Sequence, residues 1–157
     1  MSVVTFAVTG SGIGVRQDID VADSEHVIRT DAYPAFGGKD EHPSPLAFTL
    51  ASLTSCNQVT AQIVAAELGI EIEHYDFELA GDLDPALLVE GSDSGSEGGS
   101  DTLHNVRLTA TLTTRAGADD VAKLAREVER RCPVTVLFRR AGSPVETTWV
   151  RRSPDEG

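Results

Sequence analysis

Two cysteines, Cys56 and Cys132, are the residues of this chain best suited to chemistry. A thiolate is a nucleophile, and two cysteines can pass between dithiol and disulfide. Neither lies in a Cys-x-x-Cys pair or a His-rich cluster, which argues against zinc because zinc needs about four ligands. Each also has an ordinary structural interpretation: Cys56 as a small buried hydrophobe, and Cys132 as a residue of suitable size at a helix junction.

A long helix is predicted to carry Cys56 at its middle, over residues 44–68. Ser44 is a good N-cap, Pro45 suits the first helical position, and Gly69 is the expected stop. Small and apolar side chains lie nearly all round its first half, which predicts that this half is buried. Because Cys56 lies far from both helix ends, we expect no help from a helix terminus, and a thiolate there needs a nearby cation.

Cys132 falls between two predicted helices. The amphipathic pattern of residues 118–131 predicts one helix, and Pro133 must interrupt its hydrogen bonding. Proline also suits the first position of a second, short helix over residues 133–139. Cys132 would then be the N-cap of that helix, where unsatisfied N–H groups favour a thiolate.

The remaining pattern predicts an α+β fold with antiparallel sheets, in the order β-β-β-α-β-β-α-β. A single domain is expected over residues 1–150, followed by a tail over 151–157. Residues 90–101 are acidic, rich in Gly and Ser and without apolar side chains, so we expect a mobile loop. Strands are predicted over residues 3–9, 15–21, 26–30, 71–83, 103–114 and 145–150, with a turn at Gly10, Ser11 and Gly12.

Composition excludes several classes of protein. The net charge of −12, from 25 acidic and 13 basic residues, argues against binding to nucleic acid or to an anionic membrane. No apolar run approaches the ~20 residues needed to span a bilayer, and the N-terminus does not resemble a signal peptide. We therefore expect a soluble, cytoplasmic protein.

The order and spacing of these motifs resemble the OsmC/Ohr family of osmotically inducible and organic-hydroperoxide-resistance proteins. SPLAFTLASLTSC opens the long helix, and RRCPV follows 76 positions after the first cysteine (132 − 56). The resemblance implies an intertwined homodimer with a long central helix and no metal or organic cofactor. It implies that Cys56 attacks an organic hydroperoxide, that Cys132 resolves the sulfenic acid as a disulfide, and that a dithiol reductant resets the enzyme. In GIGVRQ, Arg16 matches the family's active-site arginine.

One feature departs from the family pattern, which usually places a glutamate just inside the long helix to hold the arginine. Leu46 and Ala47 occupy those positions here. Asp40, Glu41 and His42, in the preceding loop, are the candidates to replace it. The departure keeps two alternatives to a peroxidase open: an OsmC-like protein that binds a small ligand, and a redox sensor.

Overall fold

The computed structural model describes residues 2–91 and 102–155. Contacts divide the chain into two compact units, Met1–Thr49 and Leu50–Gly157. Of the expected mobile loop over residues 90–101, residues 92–101 lie outside the described part of the chain. The expectation of one domain over residues 1–150 stays a prediction.

The first unit is a three-stranded antiparallel sheet followed by a loop. Strands β1 (Val8–Ile13), β2 (Arg16–Val21) and β3 (Val27–Thr30) lie in chain order, and a single 3-10 turn follows at Pro34–Phe36. Its described apolar side chains build no core, because the buried residues of this unit are polar: Thr30, Asp31 and Ser44.

The prediction of a turn at Gly10, Ser11 and Gly12 was wrong, because these residues belong to β1. The turn comes later, at Gly14 and Val15, where Gly14 has a positive φ of 64°. Glycine is needed inside the strand because a Cβ on Gly12 would collide with the carbonyl oxygen of Arg16. The two-residue turn therefore leaves Arg16 as the first residue of β2.

Helix α1 (Pro45–Leu68) confirms the predicted long helix and its cap. The Ser44 hydroxyl accepts a hydrogen bond from the N–H of Ala47 at 3.2 Å, as an N-cap does. One face of α1 is buried in the second unit, while Val59 and Ile63, on another face, remain 59% and 50% exposed. The helix therefore presents apolar surface on more than one side.

The second unit combines a three-stranded sheet with helices. Its strands are β4 (His74–Asp82), β5 (His104–Thr113) and β6 (Val145–Arg152), in that order. Its other described helices are α2 (Leu87–Glu90), α3 (Ala118–Arg131) and α4 (Pro133–Arg140). Strand β6 extends into the predicted tail.

The second sheet is mixed, which corrects the expectation of antiparallel sheets throughout. β4 and β5 are antiparallel, but β5 and β6 are parallel. The reason is the connection, because α3 and α4 lie between β5 and β6. A helical crossover returns the chain to the starting end of the sheet, whereas a tight hairpin would reverse its direction.

The core of the second unit lies between α1, α3 and the buried face of β5. The four alternate β5 side chains Val106, Leu108, Ala110 and Leu112 are at most 1% exposed. They pack with the apolar faces of α1 and α3, represented by Val64 and Leu124. Among the helices of residues 2–91 and 102–155, none is long and apolar enough to cross a membrane.

Candidate functional site

The two cysteines meet inside the second unit. Both are free thiols. Cys132 is fully buried in the hydrophobic core, and Cys56 packs against the same core residues while remaining partly accessible. The Cys132 side chain lies within hydrogen-bonding reach of the Cys56 thiol. The structure therefore brings the two thiols together, and the arrangement leaves Cys56 as the thiol that a reagent reaches first.

The junction between α3 and α4 places Cys132. Its N–H donates to the Val128 carbonyl at 2.8 Å, which ends α3, and its own carbonyl accepts from the Val136 N–H at 3.0 Å, which begins α4. Pro133 has no N–H to continue α3, but it suits the first position of α4. The RCPV sequence therefore turns the chain at Cys132 and directs the start of α4 towards α1.

The start of α4 serves Cys56, which corrects two expectations. Within the described residues the Cys132 side chain makes no capping hydrogen bond, whereas the Val134 N–H lies at the Cys56 thiol. The sequence assigned these amides to Cys132 and no helix terminus to Cys56. The exposed amides of a helix's first turn favour an anion, so α4 supplies to Cys56 what its own helix cannot.

Burial is the largest influence on the Cys56 thiol, and it raises the pKa of Cys56 above its ordinary value of 9.0. The Val134 N–H lowers this pKa, the neighbouring Cys132 thiol raises it, and the Thr60 hydroxyl lowers it, leaving a net increase. The Thr60 hydroxyl also donates to the Cys56 carbonyl at 2.8 Å. Within the second unit, therefore, the surroundings hold Cys56 as a neutral thiol at neutral pH.

An ion pair beside the cysteines joins α1 to α3. Arg131 donates to the two carboxylate oxygens of Glu67 at 2.5 and 2.9 Å. Hydrogen bonding from Arg131 lowers the pKa of Glu67. Because Arg131 directly precedes Cys132, this bidentate pair fixes the end of α3 against the end of α1.

In the first unit, Arg16 is held by two residues of the loop before α1. One guanidinium nitrogen donates to Glu41 Oε2 at 2.9 Å, and the other lies 3.1 Å from His42 Nε2. Since a guanidinium only donates, this His42 nitrogen is the acceptor in the contact. Of the three residues considered as replacements for the missing glutamate, Glu41 and His42 contact Arg16.

Asp31 holds this loop in place. It is 3% exposed, and its carboxylate accepts hydrogen bonds from the N–H groups of Ala32, Lys39 and Glu41 at 2.8, 3.2 and 3.1 Å. These amides, with Ala32 the largest contributor, lower the pKa of Asp31. A charged Asp31 therefore fixes the backbone from which the Glu41 side chain reaches Arg16.

The Arg16 guanidinium remains open to a reactant. Its side chain is 49% exposed, and an open hollow of ≈ 360 Å³ beside it is lined by Ser11, Gly12, Ile13, Arg16 and Asp18. Within the part of the chain that the structure describes, no group of three or more His, Cys, Asp or Glu residues is placed to hold a metal ion. The roles of Arg16, Cys56 and Cys132 in catalysis stay predictions.

Comparison with protein families matches residues 38–148 to the family described as OsmC-like protein. The chain belongs to the OsmC family. The match covers the loop that contains Glu41 and His42, the long helix and both cysteines. Among curated protein sequences, none matches the chain.

Solved structures of OsmC proteins have the same fold. An OsmC-like protein from Mycoplasma pneumoniae has a TM-score of 0.74 at 18% identity, over 94% of this chain and 98% of that one. An organic hydroperoxide resistance protein from Elizabethkingia anophelis has a TM-score of 0.73 at 16% identity, over 96% and 99%. One described as an organic hydroperoxide resistance protein OsmC, from Legionella pneumophila, has a TM-score of 0.64 at 14% identity, over 96% and 98%.

Sequence reasoning missed several residues of this site. Val134 acts through its backbone N–H, which no side-chain pattern reports. Asp31 contacts backbone groups eight and ten residues away, so its role depends on how the loop folds. Thr60 had a usable signal, because four residues after Cys56 it lies on the same helix face.

Proposed function

We propose that this protein is a thiol-dependent peroxidase that reduces organic hydroperoxides. The observation that carries the proposal is the contact between the partly accessible Cys56 thiol and the buried Cys132 thiol. Similar solved structures named as organic hydroperoxide resistance proteins support the substrate class. We place this peroxidase activity in the cytoplasm, where it would serve the response to oxidative stress.

The proposed cycle has three balanced steps. The Cys56 thiolate attacks one peroxide oxygen, the O–O bond breaks, and the alkoxide takes a proton and leaves as an alcohol, so that Cys56 becomes a sulfenic acid. The Cys132 sulfur then attacks the Cys56 sulfur, the S–O bond breaks, and water leaves with the Cys132 proton. An external dithiol reduces the resulting disulfide and is itself oxidised. No metal or organic cofactor takes part.

Arg16 is assigned the cation of this cycle. A guanidinium beside Cys56 would favour the thiolate and would stabilise negative charge on the departing peroxide oxygen. Its pairing with Glu41 supports the assignment, because the carboxylate orients the guanidinium as the family's missing helix glutamate would. The proposal requires that the assembled protein bring Arg16 to Cys56.

We further propose that the active assembly is a homodimer. Several apolar side chains of the first unit are almost fully exposed in the single chain: Val3 at 97%, Phe6 at 93% and Ile13 at 92%. The described residues of this sheet form no apolar core, so the sheet needs a covering surface. Every copy of the chain also carries the exposed Val59 and Ile63 on α1, so a second copy can supply that apolar surface. An interface of more than ~2,000 Å² in total is expected for such an obligate pair.

Two cysteine variants test the peroxidase. Cys56→Ser should abolish turnover of an alkyl hydroperoxide with a dithiol reductant, because a hydroxyl is far less nucleophilic than a thiolate. Cys132→Ser should undergo one oxidation and then stall, with a sulfenic acid that a dimedone-type reagent traps. Wild-type protein that consumes no hydroperoxide with any dithiol would overturn the proposal.

A redox sensor is the second candidate function, and the position of the partly accessible Cys56 beside the buried Cys132 favours it. Cysteines that sense oxidants often lie next to a second cysteine that resolves the sulfenic acid, and a sensor needs one oxidation event where an enzyme needs continuous turnover. An intact-mass shift after peroxide treatment, without sustained peroxide consumption, would indicate sensing.

A further inference from the structure

A buried polar contact joins α1 to α4 directly beside the two cysteines. Asn57 follows Cys56 along α1, and Thr135 lies three residues after Cys132 on α4. The Asn57 amide nitrogen donates to the Thr135 hydroxyl oxygen at 3.0 Å and to the Leu53 carbonyl at 2.8 Å. Asn57 is fully buried and Thr135 is 5% exposed. We call this contact the Asn57–Thr135 tie.

The Asn57–Thr135 tie is less stabilising than apolar side chains would be between α1 and α4. The Asn57 Oδ1 atom is buried and has no hydrogen-bond partner among the described residues. A buried acceptor without a partner is destabilising, and apolar side chains of similar shape would avoid that cost. What the polar pair adds is direction, because a hydrogen bond fixes one relative position of two helices more narrowly than apolar packing does.

We propose that the Asn57–Thr135 tie positions the two cysteines for disulfide closure, an inference that rests on the peroxidase proposed above. The bond to Leu53 fixes the Asn57 side chain on α1, so the bond to Thr135 holds α4 at a point one residue from Cys56. In closure, the Cys132 sulfur must align with the Cys56 sulfur while the S–S bond forms and water leaves. Holding two reacting groups in register raises their effective concentration.

The tie should affect the second chemical step much more than the first. Attack of Cys56 on the peroxide needs the thiolate, the peroxide and a cation, and α4 enters this step only through its influence on the Cys56 thiol. Closure needs in addition that the two sulfurs are aligned. Loss of the tie should therefore lengthen the life of the sulfenic acid while changing the rate of its formation little.

Thr135→Val removes the hydroxyl and keeps the shape. We expect disulfide closure to be about tenfold slower than in the wild type, and the first oxidation of Cys56 to stay within about twofold of the wild-type rate. Both rates are measured by rapid mixing with a hydroperoxide and mass spectrometry of quenched samples. Overoxidation to sulfinic acid, which competes with closure, should begin at about tenfold lower peroxide. Thr135→Ser keeps the hydroxyl and should behave as wild type.

Two further variants separate positioning from general destabilisation. Thr54→Val is the matched control, since the Thr54 hydroxyl donates to the Ala51 carbonyl of its own helix at 2.9 Å; closure should be unchanged. The double variant Asn57→Leu, Thr135→Val removes both polar partners and should be at least as thermally stable as wild type while closing slowly. Slow closure in a stable protein is the result that a merely structural role would not produce.

The equilibrium with glutathione provides a readout that does not depend on peroxidase activity. Thr135→Val should shift the exchange constant about tenfold towards the dithiol, which corresponds to about 30 mV for a two-electron couple. Closure rates and exchange constants equal to wild type in Thr135→Val and in the double variant would overturn the tie's role. Absence of peroxide consumption by the wild type, with a normal glutathione-driven disulfide, would instead overturn only the peroxidase.

Discussion

Replacing Arg16 with alanine tests the proposed cation at Cys56. The second unit by itself holds Cys56 neutral, because burial raises the pKa of the thiol above 9.0 and the Val134 N–H offsets this only in part. A thiol with a pKa of 9.0 is about 1% thiolate at pH 7, so Cys56 should lie below that share without further help. A working peroxidase therefore needs a positive charge near Cys56, and among the described residues none of the groups that mainly set the pKa of this thiol is a cation.

The size of the Arg16 effect follows from two opposing factors. An opposite charge within ~4–6 Å of an ionisable group increases the charged share about 10- to 1,000-fold, so a middle value is ~100-fold. The gain in rate is smaller, because a less basic thiolate is a weaker nucleophile, with a Brønsted coefficient of about 0.4–0.5. The weaker nucleophilicity reduces the ~100-fold gain in thiolate share by about eightfold. We therefore expect Arg16→Ala to slow the first oxidation at pH 7 by roughly tenfold.

The pH profile of Cys56 oxidation distinguishes this effect from damage to the fold. In Arg16→Ala the rate should still be rising at pH 9, because the thiolate share is still increasing there. In the wild type the rate should level off at a lower pH than in Arg16→Ala. Arg29→Ala is the matched control: Arg29 is another exposed arginine of the same sheet, 3.6 Å from Asp18, and its loss should leave the profile unchanged. Identical profiles for wild type and Arg16→Ala would refute the assignment.

Two other predictions concern the loop that holds Arg16 and the assembly. The pKa of Asp31 is lowered in the folded chain, so its contribution to stability is present above its unfolded value near 3.8 and lost as pH falls through the lower folded value. Asp31→Asn should therefore melt below wild type at pH 6, and the difference should shrink below pH 3.8; a difference independent of pH would contradict this. Light scattering at micromolar concentration should give twice the mass of the 16.7 kDa chain, and a monomer mass would contradict the homodimer.

Features set by local sequence were predictable. The limits of α1 and α3 follow from a serine cap, from Gly69 and from apolar periodicity, and the α3–α4 break follows from Pro133. Such signals lie within a few residues of the structure they determine. The position of Arg16 at the start of β2 was also correct, although the strand before it was not.

Features set by distant contacts were not predictable. Gly10 and Gly12 read as a turn because glycine usually marks one, but both lie in β1, where the close approach of the Arg16 backbone requires glycine at position 12. The parallel pairing of β6 depends on where a helical connection returns the chain. The choice of Glu41 and His42 as the partners of Arg16 depends on the loop that Asp31 folds, and no spacing in the sequence reports it.

The site also explains why the missing helix glutamate does not decide against peroxidase chemistry. The physical requirement is a carboxylate that orients a guanidinium, and it does not matter which element carries that carboxylate. Glu41 meets the requirement at 2.9 Å from a loop that three backbone hydrogen bonds to Asp31 hold in place. A loop held by one buried carboxylate is more easily disturbed than the first turn of a 24-residue helix. Arg16 in this chain should therefore depend on Asp31 as well as on Glu41, so that Asp31→Asn slows the oxidation of Cys56 although it lies in neither cysteine's surroundings.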